Sequence, residues 1–111
     1  MQSDCLFCKI IKREIPSKVI SENDSIIVIQ DISPKAPVHY LIIPKKHYAD
    51  LRAIDKNDTE IMTGILLMAQ EVSRNLNNTS FRLLMNNGSE AGQSVNHIHA
   101  HFLAGKKMHG F

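Results

Sequence analysis

Three histidines stand at alternate positions near the C-terminal end of the chain, in the stretch His97-Ile98-His99-Ala100-His101. Strict alternation of polar and apolar residues is typical of a β-strand, in which successive side chains point to opposite faces. The three imidazoles therefore share one face, and the apolar residues between them face the core. Imidazole suits nucleophilic, acid–base or metal chemistry near neutral pH. The pattern predicts a functional site on this strand. The alternative, that the three histidines are only the solvent-facing polar residues of a half-exposed strand, is less favoured.

A loop rich in small and polar residues precedes the histidines, and its sequence is Asn86-Asn87-Gly88-Ser89-Glu90-Ala91-Gly92-Gln93-Ser94. Glycine and serine ahead of a strand can present main-chain N–H groups to an anion. Beside three histidines, this loop indicates a phosphate as the bound group.

The length of 111 residues fits one domain with a single core. The formal net charge is only +2 and the charges are interspersed, which argues against a dedicated nucleic-acid or membrane surface. No apolar run approaches the ~20 residues of a membrane helix. The first residues lack a basic region followed by an apolar stretch, so we expect no secretory signal and a cytoplasmic location.

The first half of the chain predicts a short helix and three strands. Residues 4–15 carry apolar side chains at helical spacing, with Asp4 as the expected cap and Pro16 as the stop. Val19-Ile20 and Ile26–Gln30 predict a hairpin, and Val38–Pro44 predicts a third strand too apolar to be an open edge.

The second half predicts one long helix and two further strands. The helix should run from Asn57 to about Asn77, opened by a capping box over residues 57–60. Strands are expected at Phe81–Met85 and Val95–Leu103. The order of elements predicts an α+β fold: a five-stranded, mostly antiparallel sheet with one main helix and a short N-terminal helix.

Several segments together resemble a known family. They are the His-x-His-x-His run with Gly92-Gln93-Ser94-Val95 before it, the segments Asp31–His39 and Ile43–His47, and the tail Gly105–His109. In this order they resemble the histidine triad (HIT) superfamily of nucleotide hydrolases and transferases, and most of all its Hint branch. The resemblance implies a single HIT domain over residues 1–111, and a homodimer in which two sheets join into one.

The resemblance also implies roles for individual residues. His99, the middle histidine, corresponds to the nucleophile that forms a nucleotidyl-histidine. His101, His39 and Ser94 would assist catalysis, although from the residues alone His39 suits a surface position and Ser94 a turn. The nucleotide-binding positions would be Asp31, Ile32, Asn86, Gly92, Gln93, Ser94, His99 and His101. Ile32, Phe7, Ile10 and Ile15 could line a base pocket or equally pack in the core.

His101 bears on the reaction, because the uridylyltransferase branch of the superfamily carries Gln at this third position. Histidine there favours hydrolysis. The resemblance implies purine nucleoside phosphoramidates, or acyl- and aminoacyl-adenylates, as substrates that release AMP, with no cofactor required for catalysis. Three alternatives stay open: a dinucleoside polyphosphate hydrolase, a metallohydrolase with the three histidines as ligands, and a non-catalytic nucleotide-binding or scaffold protein.

Cys5 and Cys8 form a Cys-x-x-Cys pair. A structural disulfide is not expected in a reducing cytosol. The pair supplies half of a tetrahedral zinc site, and His47 and His97 could supply the other half. Related bacterial-type members of the family bind zinc with this set, so the resemblance implies a structural zinc ion. The alternative is two buried or idle thiols.

The resemblance departs at the tail, because Met108-His109-Gly110-Phe111 stops where members of the Hint branch continue with Trp-Pro-Pro-Gly. In the family that tail reaches the partner's active site, so we expect substrate preference to differ more than catalysis. Phe111 is the residue that could substitute in part for the tryptophan.

Overall fold

The computed structural model describes residues 4–110, so Phe111 lies outside the described part of the chain. Its helices are α1 (Leu6–Ile11) and α2 (Glu60–Asn75), and short 3₁₀ turns span Leu51–Ala53 and Ser89–Ala91. Its strands are β1 (Val19–Glu22), β2 (Ile26–Gln30), β3 (Val38–Pro44), β4 (Arg82–Leu84) and β5 (Ala100–Ala104). The predicted α+β fold, with a five-stranded sheet, one main helix and a short N-terminal helix, is confirmed. Between residues 4 and 110, neither helix combines the length and apolarity needed to cross a membrane.

The sheet is antiparallel throughout, in the order β1-β2-β3-β5-β4. β3 and β5 are therefore neighbours near its centre. In their register His39 pairs with Leu103 and Leu41 pairs with His101. Paired residues and residues two apart share a face, so His39 and His101 are diagonal neighbours on the same side of the sheet. The topology thus brings together two histidines that lie 62 residues apart in sequence.

Each face of the sheet is covered by one helix. α2 packs on one face through Ile65, Met68 and Val72, against a cluster that contains Ile98 and Phe102. α1 packs on the other face through its buried Phe7, Cys8 and Ile10. As expected, the apolar residues between the histidines face a core. The histidines themselves lie on the α1 side, where the rings of His97 and His99 contact Phe7.

Helix α1 is shorter than the predicted 4–15, and its cap is Cys5 rather than Asp4. The Cys5 Sγ accepts a hydrogen bond from the Cys8 main-chain N–H at 3.3 Å. The helix ends early because Arg13 adopts a left-handed conformation, with φ +64°. The first turn is thus held by the same sulfur that was predicted as a metal ligand.

Helix α2 also begins later and ends slightly earlier than predicted. Thr59 precedes its first residue in a helical conformation and makes no side-chain capping hydrogen bond, so the predicted capping box does not form. Asp58 instead accepts hydrogen bonds from Lys46 and Tyr48. At the other end, Asn77 and Asn78 have positive φ, which stops the helix.

The last strand is shorter than predicted, because regular pairing begins only at Ala100. Before it, the Ile98 main-chain N–H donates to the Tyr48 carbonyl instead of a strand partner. The alternation of side chains nevertheless extends back through His97, with Ile98 buried on the α2 face. β4 is likewise shorter than predicted, and Phe81 stands outside it, 40% exposed.

Candidate active site

His99 is held in one tautomer by its own strand. Its Nδ1 lies 2.8 Å from the His97 carbonyl oxygen, which can only accept, so Nδ1 carries the proton. In the neutral ring Nε2 then keeps a free lone pair. Burial lowers the pKa of His99, with the bond to His97 acting in the opposite direction. The neutral form that a nucleophile requires is therefore favoured at neutral pH.

His101 stands beside His99, with ring centroids 5.3 Å apart. Its Nδ1 is 2.9 Å from the Nε2 of His39, its diagonal neighbour across the β3–β5 pairing. Burial, aided by the neighbouring His99 and His39, lowers the pKa of His101 to about 4. The structure thus gathers three of the predicted catalytic residues, His39, His99 and His101, into one cluster.

Asp31 borders this cluster at the end of β2. One carboxylate oxygen accepts the Ser33 main-chain N–H at 2.7 Å, and the other lies 3.3 Å from the Nε2 of His39. Next to it, Ile32 is 95% exposed. This edge of the cluster therefore carries a carboxylate acceptor next to an exposed apolar side chain.

The other side chains predicted to line a base pocket lie elsewhere. Phe7 and Ile10 are 4% and 6% exposed and pack in the core under α1, and Ile15 is half-buried against the same cluster. Of that group, Ile32 is the side chain open to a ligand.

The polar loop before the histidines is fixed by Gln93. The Gln93 Oε1 accepts the Gly88 N–H at 2.6 Å, while its Nε2 donates to the carbonyls of Ala49 and Val95 at 2.7 and 2.9 Å. Only 7% of Gln93 is exposed. Its amide is therefore occupied in shaping the loop. The same loop places Asn86 against Gly92, whose φ of +98° suits glycine.

Ser94 is exposed at the end of this loop. It lines a cavity of about 670 Å³ together with Cys5, His47, Ala49 and Asn96 among others. Within residues 4–110, its hydroxyl makes no hydrogen bond to the histidines. The structure thus places Ser94 on open surface without joining it to the cluster of His39, His99 and His101.

Cys5, Cys8, His47 and His97 form a second cluster, with one ligand atom from each residue and all four atoms within 4.8 Å of one another. The His97 Nε2–H donates to the Pro44 carbonyl at 2.7 Å, which leaves the Nδ1 lone pair facing the cluster. That Nδ1 lies 3.3 and 3.6 Å from the two sulfurs and 3.0 Å from the Nδ1 of His47. Burial lowers the pKa of His97 to about 4 and raises that of the Cys5 thiol.

These spacings fit a tetrahedral metal site. Ligand atoms around zinc, with Zn–N of about 2.0–2.1 Å and Zn–S of about 2.3 Å, stand ~3.3–3.8 Å apart. Four of the six separations are 3.0–3.6 Å, close to those edges, and all six are within 4.8 Å. Cys5 and Cys8 are free thiols. The donor set therefore suits a structural zinc ion, and its four protein ligands would leave no position for a substrate.

The alternative in which His97, His99 and His101 share one metal lacks the required geometry. The free Nδ1 of His97 points to the cysteine cluster, and its Nε2–H donates to the Pro44 carbonyl, so neither ring nitrogen of His97 can share a metal with His99 and His101. Asp31, His39 and His101 also lie close together. However, the Lys35 main-chain N–H donates to the Nδ1 of His39 at 2.9 Å, so His39 carries its proton on the Nε2 that a metal would need.

Sequence reasoning did not identify which main-chain groups bond the histidines. Lys35 supplies an N–H to His39, Pro44 supplies a carbonyl to His97, and His97 supplies its own carbonyl to His99. Every residue except proline carries the same main-chain donor and acceptor, so no sequence signal marks these positions.

This chain is similar to known proteins in both sequence and fold. Residues 4–111 match the family described as scavenger mRNA decapping enzyme C-term binding. A HIT-like protein of Synechocystis is 44% identical over 96% of this chain and 94% of its own length. A HIT family hydrolase from Clostridium thermocellum is 42% identical, with a TM-score of 0.93 over 100% of this chain and 98% of that one. A zinc-bound histidine triad family protein from Mycobacterium smegmatis is 30% identical, with a TM-score of 0.83 over 93% and 76%. With its triad, fold and relatives in agreement, this chain belongs to the histidine triad superfamily.

Proposed function

We propose that this protein is a nucleotide hydrolase of the Hint branch, which cleaves purine nucleoside phosphoramidates or acyl- and aminoacyl-adenylates and releases AMP. The observation that carries the proposal is the state of His99. Its Nδ1–H is fixed by the His97 carbonyl at 2.8 Å, so Nε2 has a lone pair available for attack. Similarity to a HIT family hydrolase supports hydrolysis as the class of reaction.

The reaction divides into two displacements at phosphorus. In the first, the lone pair of His99 Nε2 forms a bond to the α-phosphorus, and the bond from phosphorus to the leaving nitrogen or oxygen breaks. The leaving atom keeps the bonding pair and takes a proton from solvent. In the second, a water oxygen attacks phosphorus, the bond to Nε2 breaks, and the water's proton passes to solvent. One water is consumed, and AMP is released.

Neighbouring groups stabilise the intermediate and its transition states. The imidazole of the intermediate carries a positive charge, which the carbonyl of His97 accommodates through Nδ1–H. His101, beside His99, would donate a hydrogen bond to a phosphoryl oxygen as negative charge builds up there. Ser94 would join these donors once a nucleotide fills the open surface in front of it.

The nucleotide would lie across the edge of the cluster that Asp31 borders. A carboxylate accepts hydrogen bonds from both hydroxyls of a ribose, and the exposed Ile32 offers an apolar surface to a purine. Asn86 and Gly92, side by side in the polar loop, would approach the phosphate. Gln93 would contribute by holding that loop rather than by touching the ligand.

Zinc, held by Cys5, Cys8, His47 and His97, would be structural. It would tie α1 to the loops that carry the two histidines. His97 would then serve both sites, because its ring faces the metal ligands and its carbonyl holds His99. The zinc-bound relative from Mycobacterium smegmatis supports this assignment.

A homodimer is the assembly that the exposed apolar side chains support. Leu66, Phe81 and Leu84 are 57%, 40% and 36% exposed around α2 and the edge strand β4. A second copy pairing along β4 would cover them. Leu66→Glu should shift the sedimentation profile to a monomer, whereas Glu90→Ala, at an exposed site in the polar loop, should not. A monomeric wild-type protein would contradict the assignment.

The test of function is release of AMP from adenosine 5′-phosphoramidate by the wild type and by His99→Ala, each with and without a chelator. We expect turnover by the wild type, at least a 10³-fold loss in the variant, and little immediate effect of the chelator. Rapid loss of activity on chelation would favour a metallohydrolase. A wild type that does not cleave the phosphoramidate but cleaves dinucleoside polyphosphates would show that the proposed substrate class is wrong. A wild type that binds AMP and cleaves neither substrate would show that the protein is not an enzyme of this kind.

A further inference from the structure

His39 has no ring nitrogen left to offer a substrate. Its Nδ1 accepts the Lys35 main-chain N–H at 2.9 Å. Its Nε2 lies 2.9 Å from the Nδ1 of His101 and 3.3 Å from a carboxylate oxygen of Asp31. The residue is only 3% exposed. His39 therefore acts through its neighbours, whereas the family resemblance implies a residue that assists catalysis directly.

The direction of these hydrogen bonds follows from the main chain. A peptide N–H can only donate, so the Nδ1 of His39 is unprotonated and the ring proton is on Nε2. That proton is donated to the Nδ1 of His101, which must then be an acceptor. The proton of the neutral His101 ring is left on its Nε2. One main-chain group thus determines the protonation of two rings in turn.

We propose that the Lys35 main chain and His39 form a positioning relay that holds His101 as a neutral imidazole whose Nε2–H donates to the substrate. The identity of that substrate rests on the proposed function, whereas the ring protonation does not. In this arrangement His101 is a fixed hydrogen-bond donor to a phosphoryl oxygen, and not a cation.

The relay resists a second proton at both rings. A proton added to His101 Nδ1 would face the Nε2–H of His39, and one added to His39 Nδ1 would face the Lys35 N–H. The charged or titratable groups around the pair are Asp31, Lys35 and His99. Asp31 favours a cation, but burial, the lysine and the other imidazoles oppose it, and the pKa of both rings is lowered.

The loop that presents the Lys35 N–H is closed at its base. The Asp31 main-chain N–H donates to the His39 carbonyl at 3.0 Å, and the Gln30 side chain donates to the same oxygen at 3.2 Å. The Asp31 carboxylate also accepts the Ser33 N–H. Because its two ends are bonded to each other, the loop holds the Lys35 N–H in a fixed position against His39.

The first experiment is ¹⁵N NMR of the histidine rings in the ligand-free wild type at pH 7. We expect His39 and His101 each to show an unprotonated Nδ1 and a protonated Nε2. A proton on the Nδ1 of His39, or a cationic His101 at pH 7, would overturn the proposal. Because this spectrum requires no turnover, it tests the ring protonation independently of the proposed activity.

A matched pair of variants tests the main-chain donor. Lys35→Pro removes the N–H, whereas Lys35→Ala keeps it and removes only an exposed side chain. The alanine variant should keep the wild-type ring protonation. The proline variant should show mixed tautomers of His39 and His101, and unchanged rings in a folded proline variant would overturn the relay.

A second pair tests the ring itself. His39→Gln can place an amide N–H near the former Nε2, whereas His39→Leu has no donor. We expect the leucine variant to lose about 100-fold in kcat with KM little changed. The glutamine variant should recover much of that loss and the Nε2-protonated form of His101. A leucine variant with the wild-type His101 spectrum would contradict the relay whatever its activity.

Discussion

The polar loop depends on Gln93, and Gln93→Ala should destabilise the protein through a countable set of hydrogen bonds. The side chain makes three, with Gly88, Ala49 and Val95, at 2.6–2.9 Å in a site that is only 7% exposed. Each such bond contributes about 0.5–1.5 kcal/mol net, and unpaired partners add a desolvation cost where water cannot reach them. We therefore expect a loss of about 2–4 kcal/mol in the free energy of unfolding.

Urea denaturation at pH 7 measures this loss, with Glu90→Ala as the control from the same loop. Glu90 is exposed and its side chain makes no hydrogen bond within the described residues, so its removal should change stability by less than about 0.5 kcal/mol. Gln93→Glu keeps the acceptor for Gly88 but turns an oxygen towards the carbonyls of Ala49 and Val95, and it should be destabilised as well. If Gln93→Ala matched the control, the loop would not depend on these bonds.

Three further perturbations have defined outcomes. Gly105→Ala forces a Cβ to 2.8 Å from the Cβ of Pro37 at φ +96° and should cost about 2–4 kcal/mol by calorimetry. Gly110→Ala, at φ +83° with nothing within 4 Å, should cost at most about 1 kcal/mol, and equal costs would refute the steric argument. Cys8→Ser should abolish stoichiometric zinc in metal analysis and lower Tm, and retention of zinc would reject the four-ligand site. The half-buried His101, with a folded pKa of about 4 against ~6.5 unfolded, stabilises the protein above pH ~6.5 and loses that contribution as pH falls towards 4. His101→Gln should therefore lose less stability than the wild type between pH ~6.5 and ~4, by about 1–2 kcal/mol in the free energy of unfolding measured with urea, after allowance for solvent screening at this half-buried site. An equal loss in both proteins would contradict the lowered pKa of His101.

The fold was predictable because its signals are local and repeated. The bounds of β2 and β3 are as predicted, since Ile26–Gln30 and Val38–Pro44 are rich in residues with high β-propensity and are followed by turn segments. Errors fell at the ends of the other elements. The start of α2 was misplaced because Asp58 bonds Lys46 and Tyr48, a tertiary contact that a capping-box motif does not reveal.

The cluster of His39, His99 and His101 was predictable as a set of residues but not as an arrangement. Alternation gave the shared face of His99 and His101, and the resemblance added His39, which the pairing of β3 with β5 places beside them. The hydrogen bonds of the Gln93 side chain and of the Lys35 main-chain N–H could not be read from sequence, because each involves main-chain groups. The packing of α1 on the sheet brings Cys5 and Cys8 close to His97, and this tertiary contact could not be read from the sequence.

The most direct test of the central claim is to trap the covalent intermediate. The wild type and His99→Ala are mixed with excess adenosine 5′-phosphoramidate, quenched at alkaline pH where phosphorus–nitrogen bonds to histidine survive, and digested for mass spectrometry. We predict AMP bound to the ring of His99 in the wild type and no adduct in the variant. AMP attached to another residue, or turnover that persists in His99→Ala without any adduct, would contradict the account.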